Sequence, residues 1–222
     1  VKLDQWLAAH AVLHVHAEAV AEAIGTVTPA ARVTVIPPGS DPYRGELPSR
    51  AAAREALGLA LGDQPALLLF GFMGPHKGLS LVLQALPGLT PRPHLLIAGP
   101  PAADYPVADL VTAAGLAADC TLRLGYVPDE QVPLWFRAAD ALLLVYPASF
   151  VQNSGVLTRA ADYRTPAVVA DVGQMAQLTR QYGLGLLFTP EDPASLHTAL
   201  ARFLELTEAE REDLRQGLDR FA

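Results

Sequence analysis

Short runs of consecutive, mostly apolar residues recur along the whole chain and constrain its fold more than any other feature. They occupy residues 12–15, 33–36, 66–70, 95–98, 121–124, 141–145, 167–170 and 184–188. Unbroken rather than alternating hydrophobicity is typical of strands that are covered on both faces, and the intervals leave room for crossover helices. The sequence therefore predicts an α/β fold, a doubly wound parallel sheet with helices on both faces.

Segments with helical patterning fill the intervals between these runs. We expect helices at residues 49–59, 78–86, 107–114, 129–137, 154–163, 174–182 and 193–204. Near the end of the chain, Thr207 followed three residues later by Glu210 is typical of a capping box. This pattern predicts a polar terminal helix within residues 206–222.

The distribution of these elements predicts three parts of the chain. The six runs from Ala66 onward are sufficient for a self-contained domain, which we assign to residues 35–205. Residues 1–34 hold too few elements to bury a core, so we expect a remnant of a preceding domain, followed by a hinge rich in proline. Because the first residue is Val1 rather than methionine, we expect a fragment of a longer protein.

Charge and composition argue against several classes of function. The net charge is -7 and no cluster of Lys and Arg occurs, so we expect no nucleic-acid partner. The single cysteine, Cys120, excludes an intramolecular disulfide and predicts a buried thiol in a cytoplasmic protein. No apolar run is long enough to span a membrane. Zinc-like Cys/His spacings, a Gly-Lys-Ser/Thr phosphate loop and a Gly-x-Ser-x-Gly elbow are missing from the sequence, so we expect no metal.

The loops that follow the predicted strands form the candidate site, because ligands of open parallel sheets bind beyond the carboxyl ends of the strands. Five of these loops carry glycines that permit close approach of the backbone, at Gly71, Gly99, Gly125, Gly155 and Gly173. Lys77 precedes a predicted helix, where its ammonium and free N–H groups could both reach a phosphate. The alternative is a solvated surface lysine, which is the common state of this residue type. We interpret His76 as a packing or hydrogen-bonding residue rather than a base.

A helix with small residues at its start is predicted at Ser154-Gly155. Free N–H groups and the positive end of a helix suit an anionic ligand, so a phosphate-bearing ligand is the first interpretation. Gln152 and Asn153 add amide groups that could bind hydroxyls, whereas the alternative for Ser154 is an ordinary N-cap. The segment 125–127 is either a plain turn or a stretch of backbone that reads the edge of a nucleobase.

At these residues the chain resembles the carboxyl-terminal, donor-binding, Rossmann-like domain of retaining glycosyltransferases of the GT-B fold, in the glycosyltransferase group 1 family. The matching pieces follow the family's order between about residues 34 and 204, and each is weak alone but their ordered sum is specific. They are Ile36-Pro37-Pro38-Gly39, Leu69-Phe70-Gly71, Pro75-His76-Lys77-Gly78, Leu96-Ile97-Ala98-Gly99, Gly125-Tyr126-Val127-Pro128, Ala139-Asp140-Ala141, Ser154-Gly155-Val156, Thr165-Pro166-Ala167-Val168, Asp171-Val172-Gly173, and Gly185-Leu186-Leu187-Phe188 with Asp192-Pro193.

The resemblance implies a nucleotide-diphosphate sugar as donor substrate, with no further cofactor. The acceptor would be held by an amino-terminal partner domain, which could also contact a membrane peripherally, and the anomeric configuration would be retained. Lys77 would hold the diphosphate near Gly71. The loop from Gln152 to Val156 would direct N–H groups to the phosphates and the sugar. Gly99, Tyr126 and Val127 would flank the base.

This domain would stabilise the charge of the departing diphosphate rather than supply a nucleophile, so the resemblance assigns no catalytic residue. The fragment would be inactive alone yet able to bind the donor.

Four positions depart from the pattern of the family. Val151 and Arg159 stand in place of paired glutamates, Phe72 replaces an arginine, and Gln177 replaces a further glutamate. A guanidinium carries only donors, so Arg159 cannot accept hydrogen bonds from ribose hydroxyls as a carboxylate does. We hypothesise that Arg159 restores the positive charge that is missing at Phe72. A sub-group of the family that also lacks the glutamates is similar to this chain.

Two alternatives remain open. The missing side chains motivate a non-catalytic member that keeps the fold as a binding or regulatory module. A different enzyme on the same architecture, such as a sugar-nucleotide epimerase, is the other, because a fold alone does not fix a function.

Overall fold

The strands of the chain form two parallel sheets, and the larger is the one that the apolar runs predict. The computed structural model describes residues 6, 10–16, 18–36 and 45–222, without the side chains of residues 18 and 19. The strands are β1 (Val12–Val15), β2 (Arg32–Val35), β3 (Ala66–Phe70), β4 (His94–Ala98), β5 (Cys120–Arg123), β6 (Ala141–Leu144), β7 (Ala167–Ala170) and β8 (Gly185–Phe188). The predicted strands at 33–36 and 121–124 each lie one residue earlier than expected.

The larger sheet has the order β5-β4-β3-β6-β7-β8 and all its pairs are parallel. From β3 the chain moves outward through β4 to β5, then returns to the centre at β6 and moves outward on the other side. This is the predicted doubly wound arrangement, and its switch point lies between β3 and β6. Ligand sites in such sheets lie at the carboxyl ends of the strands beside this point.

Helices cover both faces of this sheet. α1 (Glu18–Val27) connects the strands of the smaller sheet. The helices that cover the larger sheet are α2 (Arg50–Ala56), α3 (Leu79–Ala85), α4 (Val107–Ala113), α5 (Val132–Ala138), α6 (Gly155–Asp162), α7 (Gly173–Tyr182), α8 (Pro193–Leu204) and α9 (Glu208–Phe221). Residues of α3, α4 and α8 pack on the face that carries Leu67 and Leu69. Residues of α2, α5, α6, α7 and α9 pack on the face that carries Leu68 and Phe70. Successive residues of β3 thus point into different cores, which explains why the strand has no polar position.

Local signals set the ends of several helices. The side chain of Ser49 caps α2, and Asp192 caps α8 with Pro193 in the first turn. The predicted capping box is present, because Thr207 and Glu210 bond each other's backbone N–H at the start of α9. The single helix predicted at 129–137 is wrong in one respect: it is a 3₁₀ turn, Asp129–Gln131, followed by α5. Pro133, in the first turn of α5, favours a helix start there.

In the amino-terminal segment, β1 pairs with β2 and α1 connects these two strands. Both strands are half-exposed. Gln174, in the first turn of α7, donates from Nε2 to the backbone carbonyl of His16 at 2.8 Å. The predicted hinge and the matching piece Pro37-Pro38-Gly39 lie outside the described residues, and the division of the chain at residues 34 and 205 stays a prediction. Within the described ranges, the helices are all too short or too polar to cross a membrane.

Candidate functional site

The loops after β3 and β4 approach each other closely, and each has a predicted glycine in a conformation that residues with side chains rarely adopt. Gly71 donates from its N–H to the carbonyl of Ala98 at 2.9 Å and has φ +99°. Gly99 has φ +140°, and a Cβ there would lie 1.9 Å from the carbonyl oxygen of Gly71. A side chain at Gly99 is therefore excluded by the neighbouring backbone. These glycines bring the two loops together at the switch point, with Gly99 buried and Gly71 half-buried.

Lys77 lies in the floor of this region. It ends a 3₁₀ turn, Pro75–Lys77, and is separated from α3 by Gly78, which adopts the left-handed conformation. The side chain of Lys77 is only 6% exposed, so the alternative of a solvated surface lysine is wrong. Its Nζ atom lies 3.5 Å from the position that a Cβ of Gly71 would occupy. None of the carboxylates in the described ranges forms an ion pair with Lys77. A buried ammonium without a carboxylate is unfavourable until an anion binds beside it.

The start of α6 lies beside Lys77 and forms one side of the site. Ser154 is its N-cap, and its Oγ accepts the N–H of Val156 at 3.3 Å, as the N-cap alternative predicts. Asn153 Oδ1 accepts the N–H of Ser154 at 2.8 Å, while the Nδ2 atom of Asn153 is buried without a partner. Gly155 and Gln152 are exposed. The Cγ2 atom of Val156 lies 3.7 Å from the Cβ position of Gly71, which brings α6 to the loop after β3.

Tyr146 links Lys77 to the start of α6, and sequence reasoning did not select it. Its hydroxyl accepts a hydrogen bond from Lys77 Nζ at 2.9 Å and lies 3.0 Å from Ser154 Oγ. Its ring stacks on Phe150 at a centroid distance of 4.1 Å and on His76 at 6.2 Å. The available signal was its position, directly after the apolar run that forms β6. We refer to Lys77, Tyr146, Ser154, Gly71 and the start of α6 as the cradle.

The predicted base-binding residues lie on the neighbouring loop after β5. The N–H of Gly125 donates to the carbonyl of Gly99 at 3.3 Å, so this loop continues the same rim. Tyr126 is 70% exposed, whereas Val127 is 7% exposed and belongs to the core cluster around α5. Val127 can therefore contact a base only through its main chain. Tyr126 offers an exposed ring.

The positions that depart from the family pattern change the polarity of the rim. Phe72 is 54% exposed and stacks on His76, and Val151 is 45% exposed, so apolar surface stands where charged groups are usual. Arg159 is exposed on α6, one turn after Gly155, and forms no side-chain hydrogen bond or ion pair within the described ranges. Burial, and then the Lys77 ammonium, lower the pKa of His76 below its usual value. A neutral imidazole fits the packing role that the sequence suggests.

Two other cavities lie away from the cradle, at the amino-terminal edge of the strands. Their volumes are about 400 and 630 Å³, and both are lined by Arg137, Arg164 and Arg215. Two of these arginines pair with carboxylates, Arg164 with Asp219 and Arg215 with Glu208. We place the functional site at the cradle, because ligands of open parallel sheets bind at the carboxyl ends of the strands and these cavities lie at the opposite ends. In the part of the chain that the structure describes, groups of three or more potential metal ligands do not occur.

Comparison with known proteins identifies the family of the chain. Residues 52–218 match the family described as glycosyl transferases group 1. The chain is 30% identical over 183 residues to a D-inositol 3-phosphate glycosyltransferase of Nocardia farcinica, covering 78% of this chain and 40% of the relative. It is 33% identical over 204 residues to the protein of that name from Geodermatophilus obscurus, covering 86% of this chain and 43% of the relative. The chain thus spans about two fifths of these relatives.

Among solved structures, Anabaena HepE in complex with UDP and glucose superposes with a TM-score of 0.78 at 20% identity, covering 95% of this chain and 58% of that one. At this identity the likeness shows the fold alone, and it agrees with the Rossmann-like domain that the resemblance implies.

Proposed function

The chain belongs to the glycosyl transferases group 1 family, and on that premise we propose that it binds the nucleotide-diphosphate sugar donor of a retaining glycosyltransferase. One observation carries the proposal: the buried ammonium of Lys77 has no carboxylate partner in the described ranges and faces a loop of bare backbone at Gly71. A pyrophosphate group supplies the missing negative charge. HepE was solved with UDP and glucose, which supports a nucleotide-sugar ligand.

The residues of the cradle have separate roles in this proposal. Lys77 binds the diphosphate, and the N–H groups at the start of α6, with the amides of Gln152 and Asn153, bind the phosphates and the sugar. Gly99, Tyr126 and the main chain of Val127 flank the base. Charge that develops on the leaving diphosphate is stabilised by groups that are already in place, which is the efficient form of electrostatic catalysis. The acceptor would bind to a part of the protein outside this chain.

Binding is the decisive test, because turnover requires an acceptor site. Calorimetry of the chain against UDP, GDP, ADP and the corresponding glucose conjugates should reveal at least one ligand with a dissociation constant below about 1 mM, equivalent to about 4 kcal/mol. Lys77→Met should strongly lower the affinity for that ligand. Arg92→Met, which removes a cation that pairs with Asp119 away from the cradle, is the matched control and should leave the affinity unchanged. Equal affinities of wild type and Lys77→Met would remove Lys77 from the proposal.

The charge of Arg159 has its own test. If this arginine replaces the cation that is missing at Phe72, Arg159→Ala should lower the affinity for a nucleoside diphosphate more than the affinity for the parent nucleoside. An unchanged affinity would show that Arg159 does not compensate for Phe72.

A non-catalytic binding module is the second candidate, and the apolar surface of Phe72 and Val151 at the rim favours it. For this function we expect none of the nucleotide sugars to bind. Product formed from a nucleotide sugar without an acceptor would instead indicate an epimerase.

A further inference from the structure

The ring of Tyr146 contacts aromatic side chains of two loops of the cradle. It is buried and stacks with Phe150, at an interplanar angle of 18°, and with His76, at 25°. His76 belongs to the loop after β3, and Tyr146 and Phe150 belong to the loop after β6. Because stacked aromatic rings resist rotation and displacement, the position of the Tyr146 hydroxyl is set by both loops.

The hydroxyl of Tyr146 orders the polar groups of the cradle into a single chain. Lys77 has only donors, so the tyrosine oxygen accepts from Nζ at 2.9 Å. The tyrosine hydroxyl also forms a hydrogen bond with Ser154 Oγ, 3.0 Å away, in which either oxygen can donate, and Ser154 Oγ accepts the N–H of Val156. An ammonium has three donors, and this arrangement uses one of them. The other two are left for a ligand beside Gly71.

We infer that Tyr146 is a positioning residue for the diphosphate, an inference that rests on the function proposed above. Its hydroxyl holds the Lys77 ammonium at one place in the floor, so that no side-chain freedom is lost when pyrophosphate oxygens arrive. Without the hydroxyl, the four-carbon stem of Lys77 would have several rotamers of similar energy, and binding would have to select one.

Tyr146→Phe tests this inference, because it keeps the stacked ring and removes only the hydroxyl. The nucleoside diphosphate that wild type binds best among UDP, GDP and ADP should bind about tenfold more weakly, equivalent to about 1.4 kcal/mol. The corresponding nucleoside should bind with the same affinity as in wild type. Tyr182→Phe, whose ring packs on Phe221 away from the cradle, is the matched control and should bind both ligands normally.

A double-mutant cycle separates positioning from general support of the fold. In the Lys77→Met background, the further change Tyr146→Phe should have no effect on diphosphate affinity, because the group that it positions is gone. A full additional loss in that background would overturn the inference, and so would an equal loss for nucleoside and nucleoside diphosphate. If Tyr146→Phe does not fold, Ser154→Gly removes the second hydrogen-bond partner of the tyrosine hydroxyl while keeping most of the helix cap. That variant should bind the diphosphate about threefold more weakly, and an unchanged affinity would also overturn the inference.

The two proposals fail in different ways. If wild type binds none of UDP, GDP, ADP and their glucose conjugates, the proposed function itself fails. If wild type binds one of them and Tyr146→Phe binds it equally well, only the role of Tyr146 is wrong.

Discussion

Gly78 determines whether Lys77 reaches the cradle, and substitution by alanine should expose this dependence. Gly78 has φ +67° and ends the 3₁₀ turn that carries Lys77. A Cβ there would lie 2.3 Å from the carbonyl oxygen of Val145 and 2.6 Å from its Cγ1 atom. Both distances are far below van der Waals contact, and one of the atoms is backbone, so the loop after β3 or the end of β6 must move.

A second glycine offers a control with the same backbone strain and no steric clash. Gly115 has φ +68°, and nothing lies within 4 Å of the position of its Cβ. The left-handed conformation costs an alanine roughly 1–2 kcal/mol. The alanine also lowers the conformational entropy of the unfolded chain, which stabilises the folded state by roughly 0.4–1 kcal/mol. We therefore expect Gly115→Ala to lower the free energy of unfolding by about 1 kcal/mol.

Gly78→Ala should add the cost of forcing a methyl group into a filled space, which is roughly 1–3 kcal/mol. We expect a total loss of about 2–4 kcal/mol, together with weaker binding of nucleoside diphosphate because Lys77 and Tyr146 move apart. Urea unfolding followed by tryptophan fluorescence measures the stability, since Trp135 is buried in the core while Trp6 is largely exposed already. Equal losses for the two variants, or normal diphosphate affinity of Gly78→Ala, would refute this reasoning.

Three further predictions concern groups outside the cradle. Arg54→Met should lower the free energy of unfolding, measured in urea, by about 3 kcal/mol, because the buried guanidinium donates to three backbone carbonyls and to Asp140. A loss below about 1 kcal/mol would contradict these contacts. The N–H and then the hydroxyl of Thr207 lower the pKa of the Glu210 carboxyl to about 2 from 4.5, so its stabilising contribution is complete above about pH 4.5 and is lost as the pH falls toward 2. Glu210→Gln should therefore lose less stability than wild type between about pH 6 and about pH 3 in urea unfolding, and parallel losses would argue against it. Burial, and then Asp119, raise the pKa of the Cys120 thiol to about 11 from 9.0. Its reaction with a disulfide reagent near pH 8 should therefore be about 100-fold slower in the folded than in the urea-unfolded chain. Similar rates in the two states would contradict the raised pKa.

The apolar runs predicted the sheet because hydrophobic burial is a local property of each strand. The bounds of β3 and β7 agree with the prediction, and every residue in these two strands is buried. β4 begins one residue earlier than expected, at His94, whose buried ring bonds Thr121 Oγ1 at 2.8 Å. A histidine that is buried because a neighbouring strand supplies its hydrogen-bond partner has no signature in hydrophobicity.

The candidate site was predictable in its location but not in its connections. The rule that ligands bind at the carboxyl ends of parallel strands placed Lys77 and Ser154 on one rim. The link between them is Tyr146, which is 69 residues from Lys77 in the chain, and this contact depends on β3 and β6 being neighbours. The direction of Val127 was missed for a similar reason, since its side chain packs into a core to which α5 also contributes.

The two cations that could meet a diphosphate should contribute unequally, because their surroundings differ. Lys77 is buried and held by Tyr146, so its attraction to a phosphate is little screened by water. Arg159 is exposed and must order a long side chain before it can bind, as in surface ion pairs that contribute about 1 kcal/mol or less. We expect Arg159→Ala to weaken diphosphate binding about fivefold at most, and Lys77→Met about 30-fold or more. The loss at Arg159 should also vanish at about 0.5 M salt while the loss at Lys77 persists, since a Debye length of a few ångströms screens only exposed charges. A larger effect at Arg159 than at Lys77 would mean that the exposed arginine, and not the buried lysine, carries the phosphate.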